Sequence, residues 1–321
     1  MNSFTSAFAP KMEAMLAFRT ARGFKNKNHL DNLLRFDKFC SERYPSLTKL
    51  TPEVVYDWLD METVLNPQMV NDRASTIRQF GLYLSAVDEE TFVLAEKFGT
   101  NRNHNLPYNF TDSELTALFA AIDELPAVRG EPFLNEIAPT LFRLTYTCGL
   151  RPNEVRGLLR ENVDIKTGAV MITHTKQNKD RIVVMSDDMS KMCRRYDAKR
   201  TIFAGDNPYF FPSHSGGAFR SEQLRAALTK AWTSAICSKD RPLPPHIQVY
   251  DLRHRFASAC LNRWLDEKRD LLSMLPYLRE YMGHESLNET AYYIHILPEN
   301  LLKSSAVNWE ALNKMFPEVA V

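Results

Sequence analysis

The sequence has few cysteines and no long apolar run. Five cysteines occur among 321 residues, their number is odd, and no two of them form a C-x-x-C pair. This pattern argues against a cysteine-bound zinc site and favours reduced thiols in a cytoplasmic protein. No apolar stretch approaches the roughly 18 residues that a membrane helix needs. The N-terminus has no basic region followed by an apolar stretch, so no secretory signal is expected.

The sequence also lacks an excess of basic charge. Its formal net charge is +1, whereas a DNA-binding protein is expected to carry positive charge that neutralises phosphates. The placement of charge matters more than its sum. Between residues 19 and 43, seven basic residues stand against three acidic ones. By itself this stretch is more typical of a solvated helix face than of a DNA-binding surface.

The length of the chain predicts two domains, and the first hundred or so residues are predicted to be helical. Apolar residues recur at helical spacing over residues 28–43 and 67–87. Thr51-Pro52 opens another helix, with a threonine N-cap and proline in the first turn. These three segments belong to a predicted N-terminal domain of four helices. The polar, turn-forming residues 98–107 are the predicted linker.

The rest of the chain combines helices with one predicted β-hairpin. Residues 168–173 and 181–185 are short and rich in β-branched side chains, which is typical of strands. Residues 177–180 between them form the predicted turn. The predicted helices of this part cover residues 111–125, 132–147, 221–236, and stretches that begin near Met189 and Tyr250. The predicted fold class is mostly α with a small β-sheet: a helical N-terminal domain and a mixed α/β second domain.

Five ordered motifs in the second part of the chain contain two arginines, a lysine, a histidine and a tyrosine. These residues are Arg151, Lys176, Arg253, His284 and Tyr293. Arginine pairs with phosphate through two parallel hydrogen bonds and stays protonated. Preorganised cations aimed at developing negative charge usually make the largest contribution to catalysis. The set therefore suits cleavage of a phosphodiester, in which the cations hold the phosphate and the phenol attacks it.

The order and spacing of these motifs resemble those of the tyrosine recombinases, also called phage-type integrases. Leu150-Arg151-Pro152-Asn153-Glu154 places a glutamate three residues after the arginine, as the family's first motif does. Asp251-Leu252-Arg253-His254 resembles the family's second arginine motif. Tyr293 lies nine residues after His284 and two before another histidine, which are the family's spacings.

The resemblance implies a role for each of the five residues. Arg151 and Arg253 hold the phosphate, and His284 donates a hydrogen bond to it. Tyr293 is the nucleophile. Lys176, on the hairpin, protonates the departing 5′-oxygen. Tyrosine with its pKa near 10 attacks poorly when free, but nearby cations lower that pKa and stabilise the phenolate.

The hairpin segment 175–181 resembles the family's Gly-Lys-Gly-x-Lys-x-Arg sequence. Lys179 and Arg181 are then expected to contact the DNA backbone. Without the other motifs, an exposed turn whose three basic residues serve solubility would be the better interpretation of this segment. The N-terminal helices resemble the family's only in type, and their expected DNA-binding residues are Arg19, Arg22, Lys25 and Lys27.

One position departs from the family pattern. Tyr250 lies three residues before Arg253, where the family usually has histidine. A tyrosine can donate a hydrogen bond to phosphate, but it is a poor general base near neutral pH. We include Tyr250 among the predicted catalytic residues, although it is not a suitable base for the proton of Tyr293. His246 has the wrong spacing and is expected to be a loop residue.

The resemblance implies a site-specific DNA recombinase or integrase that acts through a 3′-phosphotyrosyl intermediate without metal, ATP or another cofactor. Residues 1–103 would form a helical core-binding domain with a linker, and residues 104–321 a catalytic domain, together a C-shaped clamp around double-stranded DNA. A homotetramer on two DNA sites, a link to mobile genetic elements and a cytoplasmic location are expected. The resemblance also admits accessory DNA-bending proteins, and it implies no membrane partner.

The end of the chain is a predicted helix. In the family a C-terminal helix often docks onto a neighbouring protomer, and docking within the same chain fits this sequence equally well. Its apolar residues are Leu301, Leu302, Val307, Trp309, Leu312, Met315 and Phe316.

Two other functions fit parts of the pattern. A type IB topoisomerase uses similar residues but relaxes supercoils without a specific site. A DNA-binding protein with a degenerate, inactive centre is supported only by Tyr250. Trapping a covalent protein–DNA adduct would separate the second of these from both enzymes.

Overall fold

The protein divides into two compact units, Met1–Asn105 and Leu106–Val321, in a computed structural model. The structure describes residues 4–60, 67–87, 90–96, 107–173, 180–237 and 245–296. Most of the predicted linker, the hairpin turn with Lys176 and Lys179, and the C-terminal tail lie outside the described residues.

The first unit contains four helices around an apolar core. They are α1 (Ala9–Ala21), α2 (Lys27–Arg43), α3 (Pro52–Asp60) and α4 (Pro67–Ala86). Thr51 Oγ1 accepts the Val54 N–H at 3.4 Å, as expected for the start of α3. Aromatic side chains from several helices fill the core, and the ring centroids of Phe36 and Trp58 are 5.0 Å apart.

A buried carboxylate on α2 holds the segment that precedes α1. Asp37 accepts hydrogen bonds from the backbone N–H and the hydroxyl of both Thr5 and Ser6. Because buried charge is tolerated only when its hydrogen bonds are satisfied, these contacts tie the N-terminal segment to the helical core.

The second unit is also mainly helical. Thr111 and Glu114 form the predicted capping box at the start of its first helix, with reciprocal hydrogen bonds of 3.2 and 3.0 Å. The helices are α5 (Asp112–Asp123), α6 (Leu134–Thr147), α7 (Pro152–Arg156), α8 (Asp187–Ala204), α9 (Ser221–Ile236), α10 (Val249–Asp266), α11 (Leu271–Met282) and α12 (Leu287–Ile296), with a 3₁₀ turn at Arg160–Asn162.

The predicted strands form one antiparallel pair, β1 (Ala169–Ile172) and β2 (Arg181–Val184), with Ile172 opposite Arg181. Val170 and Val183 face the core, whereas Ile182 is exposed, as a period of two requires. This pair and the surrounding helices confirm the predicted fold class, mostly α with a small sheet.

Two apolar clusters support the second unit. The larger one surrounds the buried Trp232, whose ring lies 5.4 Å from that of Phe110. The smaller one joins α10, α11 and α12 and includes Leu261, Leu278 and Tyr293. It therefore holds three elements that carry predicted site residues in fixed relation. None of the described helices is long and apolar enough to cross a membrane.

Candidate active site

Arg151 is placed by the tight turn between α6 and α7. Gly149 adopts a left-handed conformation there, with φ of +59°, and a Cβ on it would lie 2.4 Å from Cδ1 of Phe256. Only glycine meets both conditions. Arg151 is then the N-cap residue of α7 and Pro152 occupies the first turn. The turn therefore gives Gly149, Arg151 and Pro152 each a structural role at the start of α7.

Glu154 binds two arginines in a buried network. Its carboxylate accepts a hydrogen bond from the backbone N–H of Arg151 on Oε2 at 2.8 Å and another from Arg151 Nη1 on Oε1 at 3.0 Å. The same carboxylate accepts Nη1 and Nη2 of Arg181 at 2.8 and 2.7 Å. Burial raises the pKa of Glu154, but the hydrogen bonds and charges of Arg181 and Arg151 outweigh it and hold the pKa below its ordinary value. Glu154 is therefore an anion that orients both guanidinium groups.

We expect Glu154→Gln to lower the free energy of unfolding at neutral pH by about 3 to 5 kcal/mol, because it leaves two largely buried guanidinium groups, those of Arg151 and Arg181, without their counter-ion. The folded-state pKa of Glu154 is lowered, so its stabilisation is present above the ordinary glutamate pKa of about 4.3. It is lost as the pH falls through the lower folded-state value. Urea unfolding at neutral and acidic pH measures the effect.

A matched control for this change is Glu161→Gln, because Glu161 is exposed in the 3₁₀ turn. It should change stability by about 0.5 kcal/mol or less. An equal loss of stability in both variants, or a loss in Glu154→Gln that stays constant down to strongly acidic pH, would contradict the assigned role of Glu154.

Arg253 lies on α10 and its side chain is fully buried. Its Nη1 donates to the carbonyl oxygen of Gly149 and its Nη2 to that of Met282, both at 2.7 Å. Its Nε is buried and has no hydrogen-bond partner among the residues that the structure describes. Burial and then the charge of Arg151 lower the pKa of Arg253. The two cations lie close together, because Arg151 donates to the carbonyl oxygen of Gly283 and Arg253 to that of Met282, the preceding residue. A second positive charge and an N–H group without a partner suit the site formed by Arg151 and Arg253, the arginine pocket, to an anion.

The two glycines of the motifs hold the two arginines through their carbonyl groups. Arg151 Nη2 donates to the carbonyl oxygen of Gly283, as Arg253 does to that of Gly149. Gly283 ends α11 in the left-handed conformation, with φ of +65°. A Cβ on Gly283 would come within 3.1 Å of Arg181 Nη1. The end of α11 therefore closes the arginine pocket, and a larger residue would press on it.

His284 follows Gly283 and is anchored by a buried hydroxyl. Its Nδ1 lies 2.8 Å from Oγ1 of Thr290 on α12. Burial, followed by the charges of Arg253, Arg151 and Arg181, lowers the pKa of His284 to about 3. The imidazole is therefore neutral at neutral pH, and its Nδ1 is engaged by Thr290.

Tyr293 lies on α12 with 2% of its surface exposed. Its ring stacks on that of His284, with 6.0 Å between centroids and 19° between planes, and meets the ring of His254 at 5.4 Å. Burial raises the pKa of Tyr293, and the charge of Arg253 lowers it in part. In the absence of DNA the phenol is therefore protonated at neutral pH, so a nucleophilic role needs a group that removes the proton.

Tyr250 belongs to the same cluster of side chains. It lies on α10, half-buried, with the Arg253 guanidinium carbon 6.0 Å from its ring centroid. Its ring meets that of His254 edge to face at 4.8 Å. His246 is exposed in the irregular segment before α10, which confirms its prediction as a loop residue.

The predicted DNA-contacting residues have different surroundings. The Arg181 side chain is only 9% exposed and its fork is taken by Glu154, so the structure shows it as a support of the arginine pocket. Its contact with DNA stays a prediction. Lys176 and Lys179 lie outside the described residues.

The four predicted DNA-binding residues of the first unit lie at or near the connection between α1 and α2. Arg19 Nε donates to Asn26 Oδ1 at 3.1 Å. The Arg22 guanidinium lies 5.6 Å from the ring of Phe24, and Lys25 and Lys27 are exposed. The two lysines are therefore freer than the arginines to meet phosphate.

Sequence reasoning gave no role to three residues of this site: Glu154, Thr290 and His254. Glu154 had a signal, since an acid three residues after an N-cap position predicts a capping contact. His254 was visible only as part of a motif. Thr290 had no signal, because its hydrogen bond to His284 depends on the angle between α11 and α12.

Known proteins with similar sequences and folds are recombinases. A putative integrase/recombinase of Sinorhizobium fredii is 27% identical over 298 residues, 92% of this chain and 93% of that protein. The tyrosine recombinase XerC of Lacticaseibacillus casei is 28% identical over 261 residues, 76% of this chain and 80% of that protein.

Solved structures of XerH recombinase and of the Tn1549 transposon integrase share the fold, each with a TM-score of 0.64. XerH is 19% identical and covers 88% of this chain and 79% of its own. The Tn1549 integrase is 13% identical, with 88% and 94% covered. A sequence model of the phage integrase family matches residues 109–300, which contain Arg151, Arg253, His284 and Tyr293. The chain, with its arginine pocket closed against a buried tyrosine, belongs to the phage integrase family.

Proposed function

We propose that this protein is a site-specific DNA recombinase that cuts and rejoins DNA through a 3′-phosphotyrosyl link at Tyr293. The observation that carries the proposal is the convergence of a buried arginine, a partly buried arginine, a histidine and a tyrosine from separate elements. Arg151 precedes α7, Arg253 lies on α10, His284 follows α11 and Tyr293 lies on α12. Apolar packing alone gives no reason to bury two guanidinium groups side by side, because like charges repel in a low dielectric.

The reaction follows from the charges of the pocket. The phenol oxygen of Tyr293 attacks phosphorus, and negative charge builds on the two non-bridging oxygens. Arg151 and Arg253 stabilise that charge through preorganised N–H groups, and the neutral His284 donates a further hydrogen bond. Lys176 is assigned the protonation of the departing 5′-oxygen. The bond between phosphorus and the 5′-oxygen breaks as the bond between phosphorus and the phenol oxygen of Tyr293 forms.

Strand joining reverses these steps. A 5′-hydroxyl from a partner strand attacks the phosphotyrosyl phosphorus, and the phenol of Tyr293 leaves and regains its proton. One phosphodiester is broken and one is made, so the energy of the bond stays in the covalent link. The proposed reaction therefore needs neither nucleotide hydrolysis nor a further cofactor.

DNA is the proposed partner. The XerH structure contains a palindromic difH substrate, and the Tn1549 integrase structure contains transposon right-end DNA. We extend this to a clamp in which residues 1–103 bind DNA beside the catalytic domain, residues 104–321. A homotetramer on two sites, accessory DNA-bending proteins, a role in mobile genetic elements and a cytoplasmic location, where thiols stay reduced, complete the proposal.

The test is capture of DNA that is covalently linked to the protein. Cells that express the protein are lysed in denaturing detergent, linked DNA is precipitated and sequenced, and Tyr293→Phe is the control. Enrichment of one short sequence supports site-specific recombination. Adducts without sequence preference would instead indicate topoisomerase-like relaxation. DNA recovered only under native conditions would indicate a binding protein with an inactive centre.

DNA binding should weaken steeply with salt although the net charge is +1. A clamp that neutralises about six to ten phosphates loses roughly 10³ to 10⁵ in affinity between 50 and 200 mM salt. Lys25→Gln with Lys27→Gln should reduce that loss by roughly three- to fourfold for each contact removed. Titrations of labelled duplex at several salt concentrations measure the slope.

Lys49→Gln is the control for the salt prediction, because Lys49 lies in the same unit outside the basic stretch and pairs with Glu90 at 3.1 Å. Its slope should equal that of the parent protein. A parent slope that corresponds to only one or two contacts would contradict an encircling clamp.

Tyr250→Phe should slow cleavage and Tyr250→His should preserve or raise it. Loss of one hydrogen bond to phosphate costs about 1 to 3 kcal/mol, which is roughly five- to hundredfold in rate. Histidine restores a group that can both donate to phosphate and accept a proton. Single-turnover cleavage and thermal midpoints of both variants check this. A silent Phe variant together with an unstable His variant would show that Tyr250 only packs beside Arg253.

A further inference from the structure

We propose that His254 is the general base that removes the proton from Tyr293, an inference that rests on the proposed function. It assigns a catalytic task to a residue adjacent to the second arginine. It also explains how the site works with tyrosine at position 250, where the family usually has histidine.

The position of His254 supports this role. His254 lies one turn after Tyr250 on α10, and its ring contacts two phenol rings. The ring centroids are 4.8 Å from that of Tyr250 and 5.4 Å from that of Tyr293. Residues four apart on a helix share a face, so α10 presents Tyr250 and His254 together to α12.

One ring nitrogen of His254 has no hydrogen-bond partner in the part of the chain that the structure describes. Its Nδ1 is buried and makes no hydrogen bond to any residue that the structure describes. Leaving a buried polar atom unsatisfied costs about 1 to 3 kcal/mol, and each such atom in a folded protein calls for a reason. A nitrogen that must receive a proton during the reaction has to be free before it.

The other candidate bases among the described residues are engaged or unsuitable. The Nδ1 of His284 is occupied by Thr290, and its second nitrogen is assigned to the phosphate. Glu154 is held by two arginines. Asp251 caps α10, where its Oδ2 accepts the N–H of Gln248 at 2.7 Å. Tyr250 is a poor base near neutral pH.

The charge state of His254 fits a base. Burial and the charge of Arg253 lower the pKa of His254 to about 4, so the ring is neutral and has a free lone pair at neutral pH. The groups that face it are Arg253 and Tyr250 on its own helix, Tyr293, and His284. A phosphodiester bound to Arg253 offsets the arginine charge and raises the pKa of His254. Proton transfer is thereby coupled to the arrival of DNA.

The proton balance closes over both half-reactions. In cleavage, the O–H bond of Tyr293 breaks, an N–H bond forms on His254, and the phenolate bonds to phosphorus. The 5′-oxygen leaves and takes a proton from Lys176. In joining, the attacking 5′-hydroxyl returns its proton to Lys176, and His254-H⁺ returns the other proton to the departing phenolate of Tyr293.

The experiment measures single-turnover cleavage of a nicked suicide duplex that carries the sequence captured by the parent protein. His254→Gln should slow cleavage by about 10² or more, the range for loss of general base catalysis. His246→Gln, an exposed histidine on the segment before α10, is the control and should cleave at the parent rate. His254→Asn replaces the first variant if glutamine lowers the thermal midpoint below the assay temperature.

Two rescues separate a base from a packing residue. Adding Tyr250→His to His254→Gln restores a proton acceptor one turn away. The double variant should cleave at least tenfold faster than His254→Gln alone. A fluorinated tyrosine at position 293, whose phenol ionises more readily, should shrink the defect of His254→Gln more than it changes the parent rate. Neither change repairs lost packing.

Each outcome bears on one claim. A parent-like rate for His254→Gln overturns the inference, and so does a defect that neither rescue reduces in a variant with a parent-like thermal midpoint. If the parent protein forms no adduct on any captured or flanking sequence, the proposed function fails, and the role of His254 fails with it.

Discussion

Tyr293→Phe is expected to abolish covalent attachment of the protein to DNA while binding of DNA stays within about twofold. The substitution removes the phenol oxygen, the proposed attacking atom, and no phenyl group can replace it. The fold should persist, because the ring contacts with His284 at 6.0 Å and with His254 at 5.4 Å involve the carbon ring. Denaturing electrophoresis with a suicide duplex measures the adduct, and a gel-shift titration measures binding.

Tyr292→Phe is the matched control for the nucleophile. Tyr292 is the adjacent residue, 36% exposed, and its ring lies 6.1 Å from that of Tyr293. It should form the adduct at close to the parent rate. The opposite pattern, in which Tyr293→Phe still forms the adduct and Tyr292→Phe does not, would show that the nucleophile is wrongly assigned.

Arg151→Ala and Arg253→Ala are each expected to slow single-turnover cleavage by roughly a hundredfold or more. Loss of one preorganised donor at a developing oxyanion costs about that much. The two guanidinium groups share the pocket closed by the carbonyls of Gly149 and Gly283, so neither can move to replace the other. Lysine at either position should restore little, because a single ammonium cannot bridge a phosphate oxygen and a carbonyl in the geometry of a planar fork.

Controls for the arginines come from the same helices. Arg156 on α7 donates to Asn153 and to the carbonyl of Phe219, both at 2.8 Å, and Arg255 on α10 pairs with Asp112. Arg156→Ala and Arg255→Ala remove similar contacts away from the pocket and should cleave within a few-fold of the parent. Thermal midpoints for all four variants separate slow chemistry from unfolding. Rates within a few-fold of the parent for Arg151→Ala and Arg253→Ala would remove both from the active site.

The fold class and the family could be predicted from local sequence patterns. Helices in the first unit were predictable because apolar residues at a spacing near 3.6 bury one face wherever the helix lies. The hairpin was predictable because β-branched residues with a period of two select a strand pair. The two arginines and the tyrosine indicated the family because phosphodiester cleavage restricts both residue type and order, and the family match over residues 109–300 confirms it. Their roles in the reaction stay predictions.

The tertiary structure alone decided how the site is held together. The carbonyls that grip Arg151 and Arg253 come from residues 132 and 104 positions away, and no local pattern encodes such distances. Glu154 can bind both Arg151 and Arg181 only where β2 lies beside α7. His254 reaches the ring of Tyr293 only because α10 packs against α12. Local propensity acts within a few residues, whereas these contacts arise only when the apolar faces of separate helices pack and bring their polar ends together.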